Sequence, residues 1–331
     1  MKDKLLLIII LLLIISCGTD EPQRKLVIKK VEPTVPQPKI EKPVFDADSA
    51  YLYVKEQVDF GPRHPNNEAH GKCAKYLEDK LKSFGLKAST QIGKAVTFNN
   101  KDITIKNIIG EYNPDATKRI LLFAHWDTRP FADQDTKDMT KPILGANDGG
   151  SGVGVLLEVA RQLTLTKPTI GVDIIFFDAE DYGQPSGISS DEDTSNSWCL
   201  GSQYWSKNPH KENYKAEYGI LLDMVGAMNP QFLQEAFSNQ FAPLVVQKVW
   251  SNAKKLGYNN YFLNQQTGYI TDDHKFVNEI ASIPSIDIIH YENNRGSFHP
   301  TWHTHHDNMD IIDKKSLAAV GEVLLYTIYH E

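Results

Sequence analysis

Cysteine is scarce in this sequence. Only Cys17, Cys73 and Cys199 occur among 331 residues, too few for a disulfide framework, so a small stapled scaffold is excluded. Positive charge is short as well. Lys and Arg number 35 against 42 Asp and Glu, giving a net charge of -7. No basic stripe gathers the cations, which argues against nucleic acid as a partner. No internal repeat is visible, and beyond the first residues no apolar run is long enough to cross a bilayer.

The one long apolar run is Leu5 to Ile15, eleven residues behind the charged head Met1-Lys2-Asp3-Lys4. As a helix it would rise about 16 Å, against roughly 30 Å of hydrocarbon core, so it is a processing signal rather than a span. With Ser16-Cys17 directly after it, the pattern resembles a bacterial lipoprotein signal. That resemblance implies a signal peptide over 1–16, a lipid anchor on Cys17, and a place in the bacterial cell envelope, facing the periplasm or the surface. Residues 17–45 follow as a tether, with five of the seventeen prolines between 18 and 44, a composition that favours extended chain over a core. Cys73 and Cys199 remain, and they are expected unpaired.

A single catalytic domain is expected over 46–331, a size that supports one large hydrophobic core. Apolar runs predict strands at 88–92, 102–111 around an Asn99-Asn100 turn, Arg119 to Ala124, Val172 to Phe177, Tyr218 to Leu222 and Ser285 to Ile289. Helical spacing appears over Tyr51 to Val58, behind an Asp48-Ser49 cap, and over Asn66 to Phe84. It returns over Ser151 to Leu163, Gly201 to Trp205, Ala242 to Leu256 and Lys314 to Tyr329. Strands alternating with helices argue an α/β fold, a sheet covered by helices on both faces. Residues 183–197, rich in Gly, Ser and Asp, read as a long loop that shapes a site.

The strand ends carry the chemistry. Phe176-Phe177 runs into Asp178-Ala179-Glu180-Asp181, Phe123-Ala124 into His125-Trp126-Asp127, and Leu221-Leu222 into Asp223. Asp148 stands in the Gly-rich turn Gly145 to Gly152. Carboxylates at the carboxyl ends of strands gather on one rim of a parallel sheet. Asp148, Glu180, Asp181, Asp223 and His303 therefore converge there, as oxygen and imidazole ligands without thiolate, a donor set that suits catalytic zinc.

The ordered set formed by 125–127, 145–152, 176–181, 221–230, Asp272-Asp273-His274 and Trp302-His303-Thr304 resembles the zinc-dependent glutaminyl cyclases, or glutaminyl-peptide cyclotransferases, and their relatives the zinc aminopeptidases. The resemblance implies a single-domain three-layer sandwich around a mixed, mostly parallel sheet. It implies an acyltransferase of the aminoacyl type that turns the N-terminal glutamine of peptides or proteins into pyroglutamate, acting as a monomer with one zinc ion. Metal ligands would be Asp148, Asp181 and His303, and catalytic carboxylates Glu180, Asp223 and Asp272. Trp302, Trp198 and Phe298 would wall the substrate. His125 and Asp127 would hold a second metal or support the ligands from behind. The family commonly has Glu-Glu where this chain has Glu180-Asp181, so one ligand arm is a methylene shorter. The alternative is a two-metal aminopeptidase, for which His125, Asp148, Asp181, Asp223 and His303 supply candidates. A third reading, a binding lipoprotein on a degenerate hydrolase fold, requires loss of Glu180 or of a ligand, and neither is lost.

Overall fold

The computed structural model describes residues 42–185 and 195–331. The expected signal peptide, Cys17 and nearly all of the expected tether lie outside the described residues, as does the 186–194 part of the expected long loop. The chain begins with α1 (Ala47–Val58), α2 (Glu68–Ser83), β1 (Lys87–Val96), β2 (Asp102–Tyr112), β3 (Arg119–His125), α3 (Gly150–Leu165) and β4 (Gly171–Phe177). It continues through α4 (Leu200–Lys207), β5 (Gly219–Asp223), β6 (Phe232–Gln234), α5 (Ala236–Phe241) and α6 (Pro243–Lys255). The last elements are β7 (Phe262–Gln266), α7 (Asp273–Glu279), β8 (Ser285–Ile289) and α8 (Lys314–Tyr329).

Six strands form the main sheet in the order β1-β2-β4-β3-β5-β8. β4, β3, β5 and β8 run parallel, while β2 pairs antiparallel with both β1 and β4. Every residue of β3, β4, β5 and β8 is buried, as expected for strands covered on both faces. Alternate side chains then go to opposite sides. Ile120, Leu122, Ile174, Phe176, Ile220 and Leu222 enter a large core with α1, α2, α3, α6 and α8. Leu121, Phe123, Ile175, Phe177 and Leu221 enter a smaller one with Trp205 of α4 and Val277 of α7. Each such side chain contributes about 1.5–3 kcal/mol by burial, so the sheet is a rigid frame for whatever its rim carries.

Local chemistry sets the element ends. Asp46, rather than the Asp48-Ser49 pair expected from sequence, caps α1: its carboxylate accepts from the amides of Asp48 and Ser49 at 3.1 and 3.2 Å. Asn67 caps α2 by accepting from His70 N at 2.6 Å. Asn100 turns the β1–β2 hairpin at φ 58°. The small parallel pair β6–β7 and the short helices α5 and α7 add to the elements that periodicity predicts. Among the described residues no helix is long and apolar enough to cross a membrane. Cys73 and Cys199 are free and buried.

Candidate active site

The carboxyl rim of the parallel strands opens into a cavity of about 400 Å³, a size that suits a small substrate group. Asp148, Glu180, Asp181, Asp223, Asp272 and His303 line it, and its aromatic wall comes from Trp198, Phe298 and Trp302. The carboxylates and aromatics expected from sequence thus meet in one place. Tight turns make the delivery. Ala179 after β4, Met224 after β5, and His303 itself sit in left-handed backbone at φ 54°, 48° and 56°, conformations that cost an ordinary residue about 1–2 kcal/mol and are held by their surroundings.

Asp148 arrives from the Gly-rich turn at the start of α3. A Cβ on Gly152 would fall 2.3 Å from the carbonyl oxygen of Leu222, so only glycine lets α3 approach the end of β5. Asn147 Oδ1 then accepts from Gly226 N and Ala227 N at 2.8 and 3.1 Å, locking this turn to the segment behind Asp223.

Asp148, Asp181 and His303 present ligand atoms that all lie within 4.8 Å of one another. His303 Nε2 is 3.1 Å from Asp181 Oδ1 and 3.7 Å from Asp148 Oδ2. Both oxygens of Asp181 and Oδ2 of Asp148 are buried without a hydrogen-bond partner. Burial and the charge of Asp148 push the Asp181 carboxyl up to about 6. Unmet carboxylate oxygens facing an imidazole nitrogen, with no thiolate, fit one zinc ion, and the cavity leaves a further position open.

A second trio shares Asp148. His125 Nε2 lies 3.1 Å from Asp148 Oδ1 and 3.1 Å from Asp223 Oδ1, a spacing that serves either hydrogen bonds or ligation of a second ion. Asp127 sits behind: its carboxylate accepts from the amides of Glu180 and Asp181 at 3.0 and 3.3 Å, which fixes the turn carrying both. Glu180 Oε1 accepts from the Cys199 thiol at 3.1 Å. Burial raises the Glu180 carboxyl well above its usual range, with Asp272 and Asp181 adding to the shift against His125. Asp223 is pushed up to about 8, first by burial.

Trp302 does more than wall the cavity. Its ring stacks on His303 at 3.8 Å between centroids, and Phe298 follows at 4.8 Å. On the other side Trp198 lies parallel to His303 at 6.1 Å, with the Arg129 guanidinium 4.6 Å over its ring.

Residues 107–328 match the peptidase family M28. The chain belongs to this family. The M28 chain superposes on a glutaminyl cyclase of Bacteroides thetaiotaomicron, bound to N-acetylhistamine, with a TM-score of 0.86 and 54% identity over 88% of this chain and 100% of the other. An aminopeptidase of Bacillus subtilis is 28% identical over 71% of this chain and 46% of its own. A glutaminyl-peptide cyclotransferase of Bothrops jararaca is 25% identical over 67% of this chain and 64% of its own. The chain spans less than two thirds of the length of these two curated relatives.

The M28 site also depends on residues that sequence reasoning passed over. Asp133 Oδ1 is 3.1 Å from His303 Nδ1. Arg129 grips Asp133 through two hydrogen bonds of 2.8 and 3.1 Å and holds the carbonyls of Asp181 and Gly183 at 2.8 and 3.0 Å. Asp307 accepts from the amides of Asn147 and Asp148 at 2.7 and 3.0 Å. The only sequence signal for Asp307 is its place just behind the Trp302-His303-Thr304 element; Arg129 and Asp133 lie in a loop with no periodicity to mark them.

Proposed function

We propose that this protein is a glutaminyl-peptide cyclotransferase, converting an N-terminal glutamine to pyroglutamate with release of ammonia. The observation that carries this reading is the likeness to a solved glutaminyl cyclase at 54% identity over 88% of this chain, on a chain whose expected metal ligands, catalytic carboxylates and aromatic residues line one cavity. When held by Asp148, Asp181 and His303, a single zinc ion supplies Lewis-acid polarisation of the side-chain amide.

The substrate's own α-amine is the nucleophile. Its nitrogen bonds to the side-chain Cδ, the bond from Cδ to the amide nitrogen breaks, and one proton passes from the amine to the departing ammonia. Glu180 carries that proton. Burial and neighbouring carboxylates raise its basicity, as a group that both accepts and returns a proton requires. Asp223 and Asp272, on the same cavity wall, hold the leaving nitrogen. Trp302, Trp198 and Phe298 exclude water and clasp the glutamine side chain. No serine or cysteine nucleophile is needed, in keeping with a Cys199 thiol that burial keeps protonated.

The test is a pair of incubations, one with a Gln-initiated dipeptide amide and one with a leucine chromogenic amide. Ammonia release from the first alone supports the cyclase; hydrolysis of the second rejects it. The second reading, a two-metal aminopeptidase, is favoured by one observation: the His125, Asp148 and Asp223 trio shares Asp148 with the first site. Two zinc ions per chain, counted by elemental analysis, support that reading, and one supports the cyclase. We also propose that Cys17 carries a lipid and tethers the enzyme in the cell envelope. Labelled palmitate should enter the wild type and be lost from Cys17→Ser.

A further inference from the structure

Arg63 lies in the loop between α1 and α2 and is fully buried. A cation sealed this deeply is normally paired with a carboxylate. Among the described residues, the guanidinium of Arg63 hydrogen-bonds to three carbonyls and to no carboxylate. Nε donates to Trp126 O at 3.1 Å, Nη1 to Leu144 O at 2.8 Å and Nη2 to Gly145 O at 2.8 Å. The backbone amide of Arg63 donates to Thr128 Oγ1, also at 2.8 Å.

These partners belong to two separate parts of the site. Trp126 stands between His125 and Asp127 where β3 ends, and Thr128 follows directly. Leu144 and Gly145 open the turn that carries Asp148 to the start of α3. The two parts fit without slack. A Cβ on Gly145, where φ is 56°, would fall 2.4 Å from the Thr128 methyl, and one on Gly149, at φ 89°, would fall 2.4 Å from Asp127 O. Further along the turn, Asp307 takes the amides of Asn147 and Asp148, and Gln57 of α1 donates to Gly150 O at 3.1 Å. At its entry, Arg63 holds two successive carbonyls.

On the strand side the connection reaches a second ligand. Asp127, next to Trp126, accepts from the amides of Glu180 and Asp181. One guanidinium therefore relates the turn bearing Asp148 to the strand end that fixes Asp181. The task suits arginine, whose N–H groups leave a rigid plane in several fixed directions, where lysine offers a single flexible ammonium. Burial lowers the pKa of Arg63, while nearby negative charges, those of Asp307, Asp127 and Asp148 among them, act against that shift. Its positive charge thus offsets part of the carboxylate charge gathered at the rim.

We propose that Arg63 is a positioning residue for the metal site: its guanidinium sets the turn carrying Asp148 against the strand end carrying His125 and Asp127, so that Asp148 meets Asp181 and His303 at ligand spacing. The proposal rests on the reading above only in taking Asp148 as a zinc ligand. It does not depend on which substrate the zinc serves.

The experiment strips the protein of metal and measures zinc affinity by competition with a fluorescent chelator. Wild type, Arg63→Lys, Arg63→Met and Arg119→Lys are compared at a temperature where circular dichroism shows them folded. Arg119 is the control: it sits at the opposite end of β3, is also buried, and also ties segments together, through Asp173 and the carbonyls of Pro114 and Ala116. Arg63→Lys keeps the charge but loses the fork, and should bind zinc about tenfold or more weaker, with Arg63→Met weaker still. Arg119→Lys should lower the melting temperature yet keep zinc affinity within about threefold of wild type. A loss smaller than about tenfold in Arg63→Lys would overturn the proposal, because the fork would then be dispensable to the metal. So would an equal weakening in Arg119→Lys, which would trace the effect to general loosening of the fold. Should Arg63→Met fail to fold, Arg63→Lys and the control still decide. A wild type that binds no zinc rejects the metal-site reading and the proposal with it, whereas one that binds zinc but cleaves a leucine amide rejects the cyclase reading alone.

Discussion

Asp133 Oδ1 lies 3.1 Å from His303 Nδ1, while Nε2 of the same ring lies 3.1 Å from Asp181 Oδ1. The imidazole thus faces a carboxylate at each nitrogen, Asp133 on one side and the candidate metal ligand Asp181 on the other. Such a carboxylate fixes the ring's tautomer and orientation. Asp133→Asn should weaken zinc binding by about 10- to 100-fold, measured by competition with a chelator, and leave the fold intact.

Glu180 and Asp181 are neighbours with separate tasks. Glu180→Gln should retain zinc and lose about 10²- to 10⁴-fold in kcat, the range for losing a positioned proton carrier. Zinc and activity falling together would instead make Glu180 a ligand. Kinetics and elemental analysis on one preparation separate the outcomes.

Glu235 links stability to pH. Burial works against its ionised form, but the hydrogen bond to His274 and the amides of Ile270 and Phe237 hold its pKa below the usual value. A depressed folded-state pKa gives stability that is present above the unfolded value, about 4.3, and lost as pH falls through the folded one. Glu235→Gln should therefore cost about 1–3 kcal/mol at neutral pH. That gap should narrow in acid, as urea unfolding of both proteins at several pH values would show.

Cys73 and Cys199 should resist alkylation in the native protein. Both are fully buried, and burial pushes the Cys73 thiol up to about 12, which removes the reactive thiolate. Peptide mapping should find both unmodified until denaturant is added, and modified together once it is.

Much of the rim was legible in the sequence because each central strand is an apolar run stopped by a polar residue. β4 running out into Glu180 and Asp181, and β5 ending at Asp223, follow from that pattern alone. Arg129, Asp133 and Glu235 were not legible, since their importance lies in what faces them across the fold. Asp173 and Asp287 mark the boundary between the two cases. Each is an aspartate inside an otherwise apolar strand, an anomaly any reader can see. Asp173 proves to be paired with Arg119 through hydrogen bonds of 2.6 and 3.0 Å, whereas Asp287 has a carboxylate oxygen within 4.8 Å of one on Asp272. Sequence shows that both need a partner, and only the fold says which kind. β6 escaped because three residues are too few to show a period, and β7 because after Phe262-Leu263 it turns polar and exposed and so lacks the apolar run that marks β5 and β8.

The sheet order also governs when the site can exist during folding. Asp148, Asp181 and His303 come from distant stretches of chain, and β3, β4, β5 and β8 must all be in register before their rim is continuous. Contacts of such long sequence separation close late and slowly. A partly folded chain, however rich in helix, holds at most scattered carboxylates with little grip on zinc. Tight metal capture therefore reports that the last strand has docked, and a chain arrested before that step would reveal itself by giving up its metal to a weak chelator.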